Sequence, residues 1–176
     1  GAHGHVAANY EKLLKIGLNG FIEEIDKKLE RLDQKNIKDL EKISFYHGAK
    51  EMFCAAIDFA NRFASLAEGK AKTEENRDRK EELRKIAEIC RKVPAEPAGT
   101  YWEAIQSIWF ITVIMQIESN GHSISLGRLD QYLEPFYRKE VEAGTLDIEK
   151  AQELLSCLFV KMHSMNKVRS FAHSKY

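Results

Sequence analysis

Proline and glycine are scarce in this chain, at three and ten of 176 residues. So few chain breakers leave room for long helices. Excess charge of either sign is also missing, with 27 basic residues against 27 acidic ones. No global field draws the chain to nucleic acid or to an acidic membrane. Cysteine is rare and dispersed: Cys54, Cys90 and Cys157 form no Cys-x-x-Cys and no zinc-type pair. Each falls on an apolar helical face, so buried free thiols are expected, which suits a reducing cytoplasm. A membrane span is lacking too. The longest apolar run, Ala104 to Ile117, is too short and is interrupted by Gln106, Ser107, Thr112 and Gln116. There is no signal-peptide pattern and no internal repeat.

What is present is helical periodicity. From Val6 to about Leu32, the residues Tyr10, Leu13, Leu14, Gly17, Leu18, Phe21, Ile22, Ile25 and Leu29 recur at helical steps, opposite a charged face. Asn36 offers an N-cap for a second helix reaching about Gly69. That helix is expected to bury Leu40, Ile43, Tyr46, Met52, Phe53, Ile57, Ala60 and Phe63. Thr73 is read as the cap of a third helix, apolar at Leu83, Ile86, Ala87 and Cys90. The mixed charges from Lys70 to Lys85 read as a solvated face of weak pairs. Pro94 and Pro97 end it in a stiff connector. Thr100 with Glu103 makes a capping-box signature for a fourth helix, apolar nearly all round, although a short strand near 114–118 is equally compatible with its branched residues. Arg128 to Leu133 and Phe136 to Ala143 flank Pro135, and Gly144 ends that helix. Asp147 caps the last clear helix, through about Met165, with Leu154, Leu155, Leu158, Phe159 and Met162 inward. His47 and His163 fall among apolar neighbours and read as satisfied core or boundary residues. The fold class is mainly α, with at most one or two short strands.

The fourth helix delivers its end into the most polar stretch of small residues in the chain, Glu118-Ser119-Asn120-Gly121-His122-Ser123. His122 and Ser123 are the natural reactive or binding pair, with Glu118 and Asn120 in reach. Polar groups at the end of an apolar element can line a pocket with a few directed hydrogen bonds; the bland alternative is a surface loop. Adjacent residues in an extended segment point to opposite faces, so His122 is a poor base for Ser123. No Gly-x-Ser-x-Gly elbow occurs, and a serine hydrolase is rejected. Arg128 and Asp130 read as a structural ion pair and helix cap. His3 and His5 form an H-x-H, but no third ligand lies close by, so no metal site is assigned.

Several segments resemble the glycyl radical enzymes, the pyruvate formate-lyase-like superfamily. They are Gly4-His5-Val6 with Asn9-Tyr10-Glu11-Lys12, Ile89-Cys90-Arg91-Lys92-Val93-Pro94, Ile117 to Tyr132, Ala151-Gln152-Glu153-Leu154-Leu155 and Asn166-Lys167-Val168-Arg169. The run Glu118 to Ser125 is most similar to the B12-independent glycerol and 1,2-diol dehydratases. The resemblance implies a parent built as an α/β barrel of about ten strands wrapped in helices, of which these 176 residues would be a helical partial domain. It implies a radical stored on a glycine, a thiyl radical at the barrel centre and loss of water from a small polyol. It places His5, His122 and Ser123 in the substrate pocket. The radical would be installed by a radical S-adenosylmethionine activase carrying an iron–sulfur cluster, with no cobalamin, in a homodimer in an anaerobic cytoplasm.

Neither defining motif of that family occurs in these residues. There is no Gly-Cys-Val-Glu-like loop and no Arg-Val-Ala-Gly-Tyr-like loop. An internal or truncated segment, inactive alone and binding no cofactor itself, is therefore the expectation. Choline, hydroxyproline, isethionate and arylacetate enzymes share the scaffold and are alternative parents. A non-catalytic helical module that binds a partner protein is the alternative of another class.

Overall fold

A computed structural model of the chain describes residues 6–118 and 123–165. Six helices and two very short strands follow one another: β1 (Val6–Ala7), α1 (Tyr10–Leu29), α2 (Ile37–Thr73), α3 (Arg77–Lys92), α4 (Tyr101–Glu118), β2 (Ile124–Ser125), α5 (Leu129–Glu142) and α6 (Ile148–Ser164). The mainly helical expectation holds. The branched residues near 114–118 are helical, because α4 runs on without a break. Val6, expected at the start of a helix, is instead in a strand, since Asn9 caps α1 through a bond from the Lys12 amide.

Most of the core forms where α1, α4, α5 and α6 meet. Tyr10, Leu13, Leu14 and Leu18 pack with Tyr101, Ala104, Ile105 and Ile108, and with Leu133, Leu154 and Leu158. A second cluster joins α2, α3 and α4 through Ala60, Ala64, Cys90 and Phe110. The buried stripe of α2 is all alanine, at 56, 60, 64, 67 and 71. Small residues let α3 lie close, in an antiparallel hairpin latched by Arg91 on Glu68. This corrects the expected interior of α2. Leu40, Met52 and Phe63 are exposed, and Ile43, Tyr46, Phe53 and Ile57 are only half-buried. Of the expected interior, Ala60 is buried and Phe53 and Ile57 pack against the core, while the contact with α3 selects small residues over the bulkier ones.

Other expectations are corrected in the same way. Thr73 is the last residue of α2, and Asn76 caps α3 by accepting from the Arg79 amide. Ile89 is buried in α3, whereas Ile86 is half-buried. Cys54 and Cys157 are exposed, and only Cys90 is buried. Phe159, His47 and His163 are exposed. Pro135 is accommodated inside a continuous α5. By contrast, Asn36 and Asp147 cap α2 and α6, and Gly144 takes the left-handed conformation, φ +68°, that ends α5. The charges of α3 pair on the surface at i,i+3 as Arg79–Glu82, Arg84–Glu81 and Lys85–Glu88. Among the described residues no helix is long and apolar enough to cross a membrane.

The capping box at the head of α4 gathers more groups than its sequence signature names. The Glu103 amide donates to Thr100 Oγ1 at 3.2 Å, and Glu103 Oε2 accepts from the Thr100 and Gly99 amides and from Lys92 Nζ. The Tyr101 amide donates to Glu140 Oε2 of α5 at 2.6 Å. The Tyr101 and Glu103 amides of this helix start are thus paired in a partly buried setting, where an unpaired group would be costly.

Helix α1 is interrupted at Gly17, where φ is +62° and ψ is 177°. The groups freed by the break are taken up by the proline connector. Leu18 and Asn19 amides donate to the Pro94 and Ala95 carbonyls, and the Ala98 amide donates to the Leu14 carbonyl. An added Cβ at Gly17 would stand 2.3 Å from the Ala95 carbonyl oxygen. Gly17→Ala is therefore expected to cost about 2–4 kcal/mol, from the backbone clash and the unfavourable φ together. Gly48→Ala, in mid-helix with open space around it, should instead stabilise by roughly 0.5–1 kcal/mol. Urea titration of the pair checks both signs.

Burial pushes the Cys90 thiol up from its ordinary 9.0 to about 11. The folded thiol stays neutral where the unfolded one ionises, so its contribution is complete below pH 9 and declines as pH rises toward 11. The decline is at most roughly 1 kcal/mol per pH unit. Comparing the alkaline stability slopes of the native chain and Cys90→Ala isolates it; equal slopes would refute the assignment.

Candidate functional site

The two strands pair in parallel, with Val6 opposite Ile124 and Ala7 opposite Ser125. The residue after His5 thereby meets the residue after Ser123, joining segments 118 positions apart in the sequence. His5 and His122 themselves lie outside the described residues, as does Asn120. Ser123 is described and exposed, with its backbone in the left-handed region at φ +54°. Glu118 is the exposed last residue of α4. Behind Ser123 the chain turns, with the Gly127 amide donating to Ser125 Oγ at 3.0 Å.

Arg128 and Asp130 form the expected ion pair in a forked arrangement, Nε to Oδ1 at 3.1 Å and Nη2 to Oδ2 at 2.8 Å. The Arg128 guanidinium holds the Asp130 carboxyl below its usual range. Both side chains are exposed, so the pair braces the entry to α5 and adds little to stability. Arg128 occupies the N-cap position, but its side chain makes no capping bond. The expected cap is replaced by Asp130 in the first turn, where a carboxylate suits the positive end of the helix.

Three residues that sequence reasoning left as core or passed over fasten this loop. Tyr132, half-buried on α5, donates its hydroxyl to the Leu126 carbonyl at 2.7 Å. Its ring lies 5.6 Å from that of Tyr10. The Tyr10 hydroxyl is 2.8 Å from Thr112 Oγ1 inside the core, and Thr112 in turn donates to the Ile108 carbonyl at 2.7 Å. Thr112 has a single hydroxyl proton and commits it to Ile108, so Tyr10 is the donor of the pair. Burial pushes both phenols up, Tyr132 additionally by its proximity to Tyr10 and Asp130. Both therefore remain protonated donors through the neutral range. The only sequence signal for this chain of contacts is the polar Thr112 in the middle of an apolar run.

A separate opening lies elsewhere. A cavity of about 520 Å³ between α2, α3, α4 and α6 is walled by Phe63, Leu66, Trp102, Trp109 and Cys157. Neither Ser123 nor the strand pair lines it. Among the described residues no group of three or more His, Cys, Asp or Glu is arranged to hold a metal ion.

A family model described as pyruvate formate lyase-like matches residues 1–176. Among curated proteins, the probable dehydratase YbiW of Escherichia coli K12 is 42% identical over 172 residues, which is 97% of this chain and 21% of that protein. Two solved structures align throughout. One, described as concerning 1,2-propanediol dehydration in Roseburia inulinivorans, has 43% identity and a TM-score of 0.90, covering 94% of this chain and 21% of its own. The other is the glycerol-bound form of the B12-independent glycerol dehydratase from Clostridium butyricum. It has 40% identity and a TM-score of 0.92, covering 98% of this chain and 22% of its own. The chain thus spans about a fifth of the length of the relatives it matches.

Removing the Thr112 hydroxyl should expose how much the Tyr10 bond supports the fold. Thr112→Val keeps the volume but orphans a buried phenol, at a cost of about 1–3 kcal/mol. Adding Tyr10→Phe should recover part of that loss, since neither polar group then remains. A double-mutant cycle by chemical denaturation measures the coupling; strict additivity would mean that the two hydroxyls act independently.

Proposed function

The chain belongs to the pyruvate formate lyase-like family of glycyl radical enzymes, and from that premise we propose that the whole protein dehydrates a small polyol of the glycerol or 1,2-propanediol type by a radical route. The observation that carries the reading is the agreement, at 40–43% identity and along nearly the whole chain, with the two solved diol-related structures. The local geometry supports it. The parallel strand pair draws together the two segments that contain His5 and the His122-Ser123 pair.

In this proposal His5, His122 and Ser123 bind the substrate's hydroxyl groups. Imidazole and hydroxyl side chains can each donate and accept, which matches vicinal alcohols. A histidine held beside one hydroxyl can also deliver a proton as that group leaves as water. The radical chemistry is supplied by a cysteine and a glycyl radical elsewhere in the protein, installed by a radical S-adenosylmethionine activase and without cobalamin. The cysteines described here do not suit that role. Cys90 is buried in a helix with its thiol proton tightly held, and Cys54 and Cys157 lie on exposed helical surfaces. What this segment contributes is substrate orientation. The oxygen sensitivity of such a radical fits an anaerobic cytoplasm, and a homodimer is the proposed assembly.

The test is a substrate panel offered anaerobically to the activated full-length protein: glycerol, 1,2-propanediol, choline, hydroxyproline, isethionate and arylacetates. Dehydration of a diol is the expected result, and turnover confined to the other compounds would overturn the assignment. In the active protein, His122→Ala or Ser123→Ala should weaken substrate binding by on the order of 1–3 kcal/mol, about 5- to 150-fold in KM. Unchanged kinetics in both variants would remove the pair from the site.

A further inference from the structure

Among the described residues, Ser123 is the one residue other than glycine with a positive φ. The left-handed region is disfavoured for a residue with a side chain, so the surrounding structure must hold it there. The strand pair is a weak brace for that purpose. It is two residues long, and Val6, Ala7 and Ser125 are exposed. The Gly127–Ser125 bond is internal to the loop and cannot fix it to the rest of the molecule. Among the described residues, one side-chain hydrogen bond ties 123–127 to a helix, from Tyr132 Oη to the Leu126 carbonyl.

We propose that Tyr132 is a positioning residue for the substrate loop: its hydroxyl, bonded to Leu126, sets the backbone from which Ser123 is presented. The inference rests on the reading of Ser123 as substrate-binding. It adds a chain of support leading from the loop into the core. The Tyr132 ring rests against Tyr10, and Tyr10 is anchored on Thr112 in the middle of α4. Tyr132 therefore has a fixed position from which to hold Leu126, three residues beyond Ser123. Hydrogen bonds to a small polyol are sensitive to displacements of the order of 1 Å, so a slack loop loses binding without losing the fold. The rest of the Tyr132 environment is consistent with a holding role. Its hydroxyl makes its bond to backbone, not to a charged partner, and it stays protonated across the working pH range.

Tyr132→Phe removes the hydroxyl and keeps the ring against Tyr10. In the activated full-length protein it should raise KM for the diol by about 3- to 10-fold, with kcat changed much less. The effect should vanish in a Ser123→Ala background, because a residue acting through Ser123 has nothing left to position. Amide hydrogen exchange across 124–127 supplies a readout independent of substrate, and Tyr132→Phe should accelerate it. Thermal melting of the same variants shows that they are folded, and Thr112→Val, which frees Tyr10, should reproduce a weaker version of the exchange change. Additive effects of Tyr132→Phe and Ser123→Ala on KM, or unaltered exchange in 124–127, would overturn the proposal. If Ser123→Ala is silent while Tyr132→Phe still accelerates exchange, the substrate role of Ser123 fails and the clamp stands.

Discussion

A buried hydroxyl pair, Tyr10 with Thr112, fixes where α1 begins relative to α4. The constraint is severe because both partners sit in the core, where a polar group without a partner is far more costly than one in water. Everything at the polar end of the molecule follows from it. β1 ends two residues before the Asn9 cap of α1, so the first turn of α1 decides where Val6 can lie. That position in turn decides which backbone Ile124 meets. The Tyr10 ring is also the surface on which Tyr132 rests. One bond between two helices thus governs both the strand pair and the loop that follows it.

Helix α4 has two ends of opposite character. At its start, Glu103 is only 6% exposed and collects Lys92 and two backbone amides, while Glu140 supplies a further acceptor. That end is tightly capped. Toward its other end burial fades, from Thr112 in the core to Ile117 at 67% exposed, just before the polar stretch. The helix thus has a capped, partly buried start and an exposed last turn.

Where a residue type carries one local consequence, the sequence revealed the fold. Asn36, Asp147, Gly144 and the Thr100–Glu103 pair each act within one turn of chain, and each was legible. Where the outcome depends on a distant partner, reading failed. The alanine stripe of α2 recurs at helical steps, but larger apolar residues recur on other faces of the same helix, and the close approach of α3 is what favours the small ones. Gly17 looked like one more inward position of a helix, although its backbone is opened by a connector some 75 residues later. Of the candidate site the sequence offers residue types alone, His122 and Ser123 after an apolar helix, and their substrate role is the proposal made above. The residues that hold the loop were not legible, because Tyr10, Thr112 and Tyr132 become a unit only through packing.

The join between α1 and the proline connector works like the completion of an open ladder by a second strand. Leu14, Leu18 and Asn19 each find a fixed opposite number between Pro94 and Ala98, in a set spacing. The connector must keep both its main-chain course and its length, and its Val93, Pro94 and Ala95 side chains are buried as well. One residue inserted or lost there would slide every partner out of step, turning the lower part of α1 away from α4. The separation along the chain between the end of α3 and the head of α4 is therefore a measured distance, written into the protein by a helix that precedes both.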